Sequence, residues 1–110
     1  MMYTDFTAGN RDYRLRLNTR AIITLEKAIG CNPLSVFGDG DTIPPVSTMI
    51  AILHAALQPL EHGISYDRAC DIFDDYLNDG HQMTDFLAVI VEIYKASGLI
   101  KDVEVDEKNA

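Results

Sequence analysis

Residues 13–30 read YRLRLNTRAIITLEKAIG, and within this stretch the apolar spacing changes from every second residue to about every 3.6 residues. The first part alternates apolar residues with arginines, as a half-buried strand does, at Tyr13, Leu15 and Leu17. The second part repeats apolar residues along one side of a helix, at Ala21, Leu25, Ala28 and Ile29. The stretch therefore predicts a strand that runs directly into a helix, with Asn18 or Thr19 as its N-cap and Gly30 as its C-cap.

The residues before this stretch predict a β-hairpin. Gly9 and Asn10 tolerate positive φ and suit a tight turn between strands at about residues 4–8 and 11–17. A lone two-stranded ribbon is marginal in water, so its apolar side must pack on the helices or pair with another chain. The edge of the ribbon is therefore the first place where self-association is expected.

Three more helices are predicted after the first. A short turn at residues 34–37 and a loop at residues 38–45 lead into the second helix, which begins near Pro45 or Ser47 and ends before Pro59. The third helix spans about residues 66–78, with Ser65 as its cap, and the fourth runs from about Gln82 to Ser97. Apolar residues cover so much of the second and fourth helices that the second is expected to be central and the fourth to form the axis of the core.

The predicted fold class is mainly α, a small bundle of about four helices with a short N-terminal β-hairpin at about residues 4–17. The chain has 110 residues, of which 47% are apolar, and this is enough for an independent core. Residues 1–100 are predicted to form a single domain. Residues 101–110 are charged, lack an apolar period, and are predicted to form a flexible tail.

The net charge excludes several classes of partner. Seventeen acidic and nine basic residues give a formal charge of −8, which disfavours nucleic acids and anionic membranes. The acidic balance fits simple solubility as well as docking onto a basic partner segment. Cys31 and Cys70 form no CxxC motif, and the N-terminus carries no basic and apolar leader, so free thiols and a cytosolic location are expected.

Four carboxylates form an acidic strip along one side of the predicted third helix, at Asp71, Asp74, Asp75 and Asp79. A calcium loop counted from Asp75 fails, because Leu77 and Phe86 stand where oxygen ligands are required. The strip is interpreted as a solvated surface, with a basic partner as the alternative.

No catalytic, cofactor-binding or metal-binding residue is predicted. The three histidines, at positions 54, 62 and 81, lack the spacing of metal ligands, and His54 is expected to be a hydrogen-bonded core residue. No nucleophile, phosphate-binding or dinucleotide-binding motif occurs. The chain is therefore interpreted as a recognition protein rather than an enzyme.

Arg14 and Arg16 project from the polar side of the predicted strand. Such charges commonly guard a strand edge against indiscriminate pairing, but they also fit the acidic strip of a neighbouring copy. The candidate partner-binding residues are Tyr13, Arg14, Leu15, Arg16, Leu17, Asp71, Asp74 and Asp75.

The segment Tyr13-Arg-Leu-Arg-Leu followed by Ala21-Ile-Ile-Thr-Leu-Glu26 resembles the opening of tail assembly chaperones from long-tailed phages and prophages of Gram-positive bacteria. Related gene-transfer-agent proteins open similarly. The resemblance continues through Asn32-Pro33-Leu34 and three further helices, and covers about residues 10–100.

This resemblance implies a cytoplasmic assembly factor that is not part of the mature virion. Such a factor binds the tape measure protein, keeps its long apolar helix soluble and helps tail tube subunits polymerise around it. The family often makes a longer product by ribosomal frameshifting. Self-association is expected as well, from the open edge of the predicted hairpin. The alternative is a structural tail subunit, a connector or completion protein, that packs through its N-terminal hairpin.

Overall fold

The computed structural model describes residues 3–37 and 43–100. Within them, the chain forms a β-hairpin and then four α-helices, so the predicted fold class is confirmed. The elements are β1 (Thr4–Ala8), β2 (Arg11–Leu15), α1 (Thr19–Ile29), a 3₁₀ turn (Pro33–Phe37), α2 (Val46–Leu57), α3 (Tyr66–Asn78) and α4 (Asp85–Ala96). The predictions for most of the loop before α2 and for the tail at 101–110 lie outside the described residues.

The hairpin forms because its turn residues accept left-handed backbone angles. Gly9 and Asn10 have φ of 62° and 66°, and positive φ at both central residues is the mark of a type I′ turn. The strands pair antiparallel, with Thr4 opposite Leu15 and Ala8 opposite Arg11. The apolar side of the ribbon is buried against the chain's own helices, at Phe6, Ala8, Tyr13, Leu15 and Leu17.

Helix α1 begins and ends where the sequence predicts. The side chain of Asn18 accepts a hydrogen bond from the N–H of Ala21 at 2.9 Å, so Asn18 is the N-cap. Gly30 takes the left-handed conformation, with φ of 75°, and its N–H donates to Glu26 O at 2.8 Å.

The centre of the bundle is α2, and the expectation that α4 forms the core's axis is wrong. Eight of the twelve residues of α2 are buried, against four of the twelve of α4. The reason is position, because α2 packs against α1, α3, α4 and β2, whereas α4 keeps one side towards solvent. The apolar residues Leu87, Val89 and Val91 on α4 are only half-buried.

Helix α4 begins at Asp85 rather than near Gln82. The three preceding residues form a tighter turn, in which Asp85 N–H donates to Gln82 O and Phe86 N–H to Met83 O, both at 3.0 Å. The Asp85 carboxylate accepts the N–H of Gln82 at 2.8 Å, which stabilises this turn.

Aromatic rings join the hairpin to α3 and α4. The Phe6 ring lies 5.0 Å from that of Tyr76 and 5.9 Å, edge-on, from that of Phe86. A second tie links the strand-to-helix junction to the end of α4, because the Leu17 N–H donates to Ser97 Oγ at 2.8 Å. The ribbon is therefore held on the last two helices at the middle of β1 and again just after β2.

In residues 3–37 and 43–100, none of the helices has the length and apolar character that crossing a bilayer requires.

Candidate functional site

Two cavities open between α1 and α2. The larger has a volume of about 430 Å³ and is lined by Asn18, Arg20, Ala21, Thr24, His54, Ala55, Gln58, Pro59 and His62. The smaller has a volume of about 240 Å³ and is lined by Ala28, Ile29, Ser47, Thr48, Ala51 and Tyr66. The first joins the start of α1 to the end of α2, and the second joins the end of α1 to the start of α2, so the two helices run antiparallel.

Both cavities lie on the same face of each helix. On α1 the lining residues Ala21, Thr24 and Ala28 follow the spacing i, i+3, i+7, and on α2 the residues Ala51, Ala55 and Gln58 follow i, i+4, i+7. His54 of the first cavity and Tyr66 of the second are in edge-to-face contact, with ring centroids 5.8 Å apart. The two cavities therefore lie end to end along the line where α1 packs on α2, and together they are called the α1–α2 groove. Its lining on α1 runs from Arg20 to Ile29, which spans about 14 Å at a helical rise of about 1.5 Å per residue.

One end of the groove is basic. Arg20, His54 and His62 line the larger cavity, and no Asp or Glu is among its lining residues. This end also lies at the start of α1, whose first turn contains no acidic residue. In a chain with a formal charge of −8, it is a local exception that favours anionic side chains.

His54 is held in a fixed orientation at this basic end. Its Nε2 lies 3.0 Å from Ile64 O, and because a carbonyl oxygen only accepts, Nε2 is the donor. The Gln58 amide group donates to both His54 O at 3.1 Å and Ile64 O at 2.8 Å. The expected hydrogen-bonded histidine is confirmed, although its side chain is half-buried and lines the groove rather than lying in the core.

The other end of the groove is smaller and has no charged residue in its lining, and is called the uncharged end. Ala28 and Ala51 lie on its two helical walls, Ser47 and Thr48 add hydroxyl groups, and Tyr66, which is 45% exposed, also lines it. Two more large apolar side chains are exposed near the start of α2, at Ile43 before the helix and at Val46, its first residue. The small alanines leave room for another backbone to approach, and the exposed apolar groups offer it contact area.

The predicted partner-binding residues on the strand divide into buried and exposed sets. Tyr13, Leu15 and Leu17 are at most 1% exposed and belong to the chain's own core. Arg14 is exposed, its guanidinium lies 5.9 Å from the centre of the Tyr3 ring, and its N–H donates to Glu61 Oε2 at 3.3 Å.

Arg16 is half-buried, directly after β2. Its N–H donates to Ala56 O at 3.0 Å, which ties this end of the ribbon to α2. Its buried Nε atom has no hydrogen-bond partner within the described ranges.

The acidic strip on α3 has a structural task that sequence reasoning missed. Asp79 Oδ2 accepts the N–H of Gly9 at 2.8 Å, and Asp75 lies so close that a Cβ on Gly9 would be 3.0 Å from its Oδ2. Asp71 and Asp74 remain exposed. In the part of the chain that the structure describes, no ion pair joins the strip to Arg14 or Arg16.

The thiols show no sign of activation. Burial raises the pKa of Cys70, and the carboxylates of Asp67, Asp71 and Asp74 raise it further, which disfavours the nucleophilic thiolate. Cys31 is exposed. Within residues 3–37 and 43–100, no group of three or more His, Cys, Asp or Glu residues is arranged to hold a metal ion.

The groove was not predicted from the sequence, although one signal for it is present. Alanines recur at helical spacing on both walls, at Ala21, Ala28, Ala51 and Ala55, and such a pattern permits close approach of helices. No curated protein and no solved structure matches the chain. A family described as a family of unknown function, DUF6096, matches residues 4–109, so the chain belongs to that family.

Proposed function

We propose that this chain is a phage tail assembly chaperone that holds an α-helical segment of the tape measure protein in the α1–α2 groove. The bound client would stay soluble in the host cytoplasm until tail tube subunits polymerise around it. Because the DUF6096 description assigns no activity, the proposal draws on the resemblance of residues 10–100 and on the groove. The observation that carries it is a pair of cavities that lie end to end between α1 and α2, with small side chains on both helical walls.

The shape of the groove suits a helix better than a compact ligand. Its length of about 14 Å matches roughly nine residues of a bound helix, which would present apolar anchors at i, i+3 or i+4 and i+7. Helix axes pack about 8–10 Å apart, and small side chains on the walls favour the lower part of that range. Ala28 and Ala51 supply such walls at the uncharged end.

The charge of the groove suits one orientation of the client. Arg20 lies at one end and Tyr66 at the other. A client helix with a carboxylate near one end of its apolar stripe would place that carboxylate beside Arg20, and the reverse orientation would leave it at the end whose lining has no charged residue. The proposed client segment is therefore apolar along one side and acidic at one end.

Filling the groove tests the proposal. Ala28→Trp places a large ring in the uncharged end, and Ala88→Trp places the same ring on the exposed side of α4 as the matched control. Each variant is co-expressed with the long tape-measure-like gene next to its own gene, and the soluble fraction of that client is measured. Wild type and Ala88→Trp should raise it several-fold, whereas Ala28→Trp should not. The proposal fails if wild type gives no gain or if Ala28→Trp works as well as the control.

Reversing the charge at the basic end tests the orientation. Arg20→Glu should weaken client binding about tenfold, or about 1.4 kcal/mol, while Arg11→Glu, on β2 outside the groove, should have little effect. Unfolding does not explain such a loss, because a carboxylate in the first turn of α1 should add about 0.3–1 kcal/mol of helix stability. Equal binding by the two variants would contradict the orientation.

The alternative is a structural tail subunit. It is favoured by the outer edge of β1, where the outward backbone groups of Asp5 and Thr7 have no hydrogen-bond partner in residues 3–37 and 43–100. Purified particles separate the two roles. Mass spectrometry of mature tails should find no copy of a chaperone, whereas a connector or completion protein would be present in a fixed number of copies.

A further inference from the structure

The two edges of the hairpin differ. On the β2 side, the outward N–H of Arg14 donates to Glu61 and that of Arg16 donates to Ala56 O, so the end of α2 and the residues after it cover this edge at Arg14 and Arg16. On the β1 side, the outward backbone groups belong to Asp5 and Thr7. In residues 3–37 and 43–100 these groups have no hydrogen-bond partner, and both residues are exposed.

The assignment of outward groups follows from the register. In a two-residue hairpin the pair next to the turn, here Ala8 and Arg11, is hydrogen-bonded, and bonded pairs then alternate with non-bonded ones. Thr7 opposite Asp12 and Asp5 opposite Arg14 are therefore the non-bonded pairs, whose N–H and C=O groups point away from the partner strand. The bond from Arg14 N–H to Glu61 agrees with this assignment.

We infer that a second copy of this chain binds along β1, so that the two hairpins form one continuous antiparallel sheet about a two-fold axis. Asp5 would lie opposite Thr7 of the second copy, and Thr7 opposite Asp5 of that copy. Each pair exchanges two N–H···O bonds, so all the outward groups of β1 between these residues are satisfied. The axis passes beside Phe6, and the helices of both copies lie on the same face of the sheet.

The pairing of Asp5 with Thr7 is preferred because the two registers shifted to either side of it are unfavourable. A shift in one direction places Asp5 opposite Asp5 of the second copy, and like charges directly opposite are destabilising. A shift in the other direction makes Thr7 its own partner and requires Gly9 to pair, although the Gly9 N–H already donates to Asp79. Only the pairing of Asp5 with Thr7 avoids both penalties.

Side-chain charges also allow this edge to pair. An exposed carboxylate on an edge strand normally discourages association, but Asp5 lies directly opposite Arg14 in the hairpin. Thr7 Oγ1 donates to Asp12 Oδ1 at 2.7 Å. Across the four strands of the extended sheet, the residues directly opposite one another would be Arg14 and Asp5 of one copy, followed by Thr7 and Asp12 of the other. No two like charges are therefore adjacent across the strands. The pairing does not depend on the proposed function, since it involves no residue of the α1–α2 groove.

A matched pair of proline variants tests the interface. Thr7→Pro removes an outward N–H from β1, and Asp12→Pro removes the outward N–H of the residue directly opposite, on β2. Both variants lose the same Thr7 to Asp12 side-chain bond. Sedimentation over a concentration series should show wild type and Asp12→Pro associating as dimers, and Thr7→Pro with a dimer dissociation constant at least tenfold higher.

Hydrogen exchange on the wild-type chain gives a readout that needs no variant. Raising the protein concentration should slow exchange of the Asp5 and Thr7 amides, while the amide of Asp12 should exchange at an unchanged rate. The inference is overturned by a wild-type chain that stays monomeric at millimolar concentration, by Thr7→Pro associating as well as Asp12→Pro, or by exchange at Asp5 and Thr7 that is independent of concentration. Circular dichroism shows whether each variant is folded. If one is not, hydrogen exchange on the wild-type chain alone decides whether β1 forms the interface.

Discussion

At the scale of single residues, the tightest constraint lies at Gly9. Its φ is 62°, its N–H donates to Asp79, and an added Cβ would lie only 3.0–3.1 Å from side-chain atoms of Asp75. A sequence argument identifies Gly9 as a turn residue but does not place it against α3, because its partner Asp79 is 70 residues away in the chain. Two residues of the acidic strip, Asp75 and Asp79, therefore help to hold the hairpin turn against the end of α3.

Gly9→Ala should lower the free energy of unfolding by more than Gly63→Ala does. Gly63 has a φ of 80° and nothing within 4 Å of an added Cβ, so both substitutions share the left-handed strain of about 1–2 kcal/mol. Gly9→Ala also meets Asp75 Cβ at 3.1 Å, which should add about 1 kcal/mol or more. Urea denaturation of the two variants measures the difference, and equal losses would show that Asp75 moves aside freely.

Tyr94 should make stability fall at alkaline pH. Burial raises the pKa of Tyr94 above its ordinary value, with a further contribution from Cys31, and its hydroxyl donates to Pro33 O at 2.8 Å. Above about pH 10 the unfolded chain releases this proton while the folded chain keeps it, so the folded state loses relative stability as pH rises.

Tyr94→Phe should therefore flatten the alkaline fall in stability, and at neutral pH it should cost about 1–3 kcal/mol because the Pro33 carbonyl loses its partner. The stability of Tyr94→Phe should still fall somewhat at alkaline pH, because burial and the Asp85 carboxylate also raise the pKa of Tyr76. Denaturant midpoints between pH 8 and pH 11 measure the effect, with Tyr66→Phe, on an exposed side chain, as the control. An unchanged slope in Tyr94→Phe would contradict this account.

At the scale of elements, the strand-to-helix junction is specified by local chemistry. The Asn18 carboxamide oxygen caps α1 through the Ala21 N–H. Asn18→Ala should lower the free energy of unfolding by about 1 kcal/mol, whereas Asn18→Asp should retain the cap and gain from the helix dipole. Thermal or urea unfolding of the two variants tests this, and a fully stable Asn18→Ala would show that the cap contributes nothing.

The elements predicted from sequence are those whose signals lie within a few residues of each other. The type I′ turn at Gly9 and Asn10, the caps at Asn18 and Ser65, and the stop at Gly30 all act locally, and the structure confirms each. The start of α4 was misplaced because both the turn at Gln82 and a first helical turn fit that local sequence.

The candidate site was less accessible to sequence reasoning, because it depends on which helices meet. Ala28 and Ala51 are distant in sequence and become a wall of one groove only when α1 packs antiparallel to α2. Tyr13 and Leu15 were predicted as partner contacts, but the structure buries them in the core. Alternation marks the apolar side of a strand without saying whether that side meets its own helices or another chain.

At the scale of the whole molecule, the groove and the β1 edge lie on different elements and should act independently. Ala28→Trp should abolish the gain in client solubility and leave the dimer dissociation constant unchanged. Thr7→Pro should leave the single-site affinity for a client unchanged and weaken only the added affinity that two linked grooves give on one long client. Sedimentation and client binding measured on both variants test this, and a change of both properties in either variant would contradict independent surfaces.

The bond between Leu17 and Ser97 joins residues 80 positions apart. During translation at about 5–20 residues per second, roughly 4–16 s pass between synthesis of the first partner and the second. The Phe6 ring of the ribbon also packs against Phe86. Because Phe86 is synthesised later, the apolar side of the ribbon has no complete packing surface while it emerges from the ribosome. Nascent chains on one polysome therefore expose their ribbons close to one another during this interval, and we expect premature pairing between neighbouring nascent chains to compete with folding.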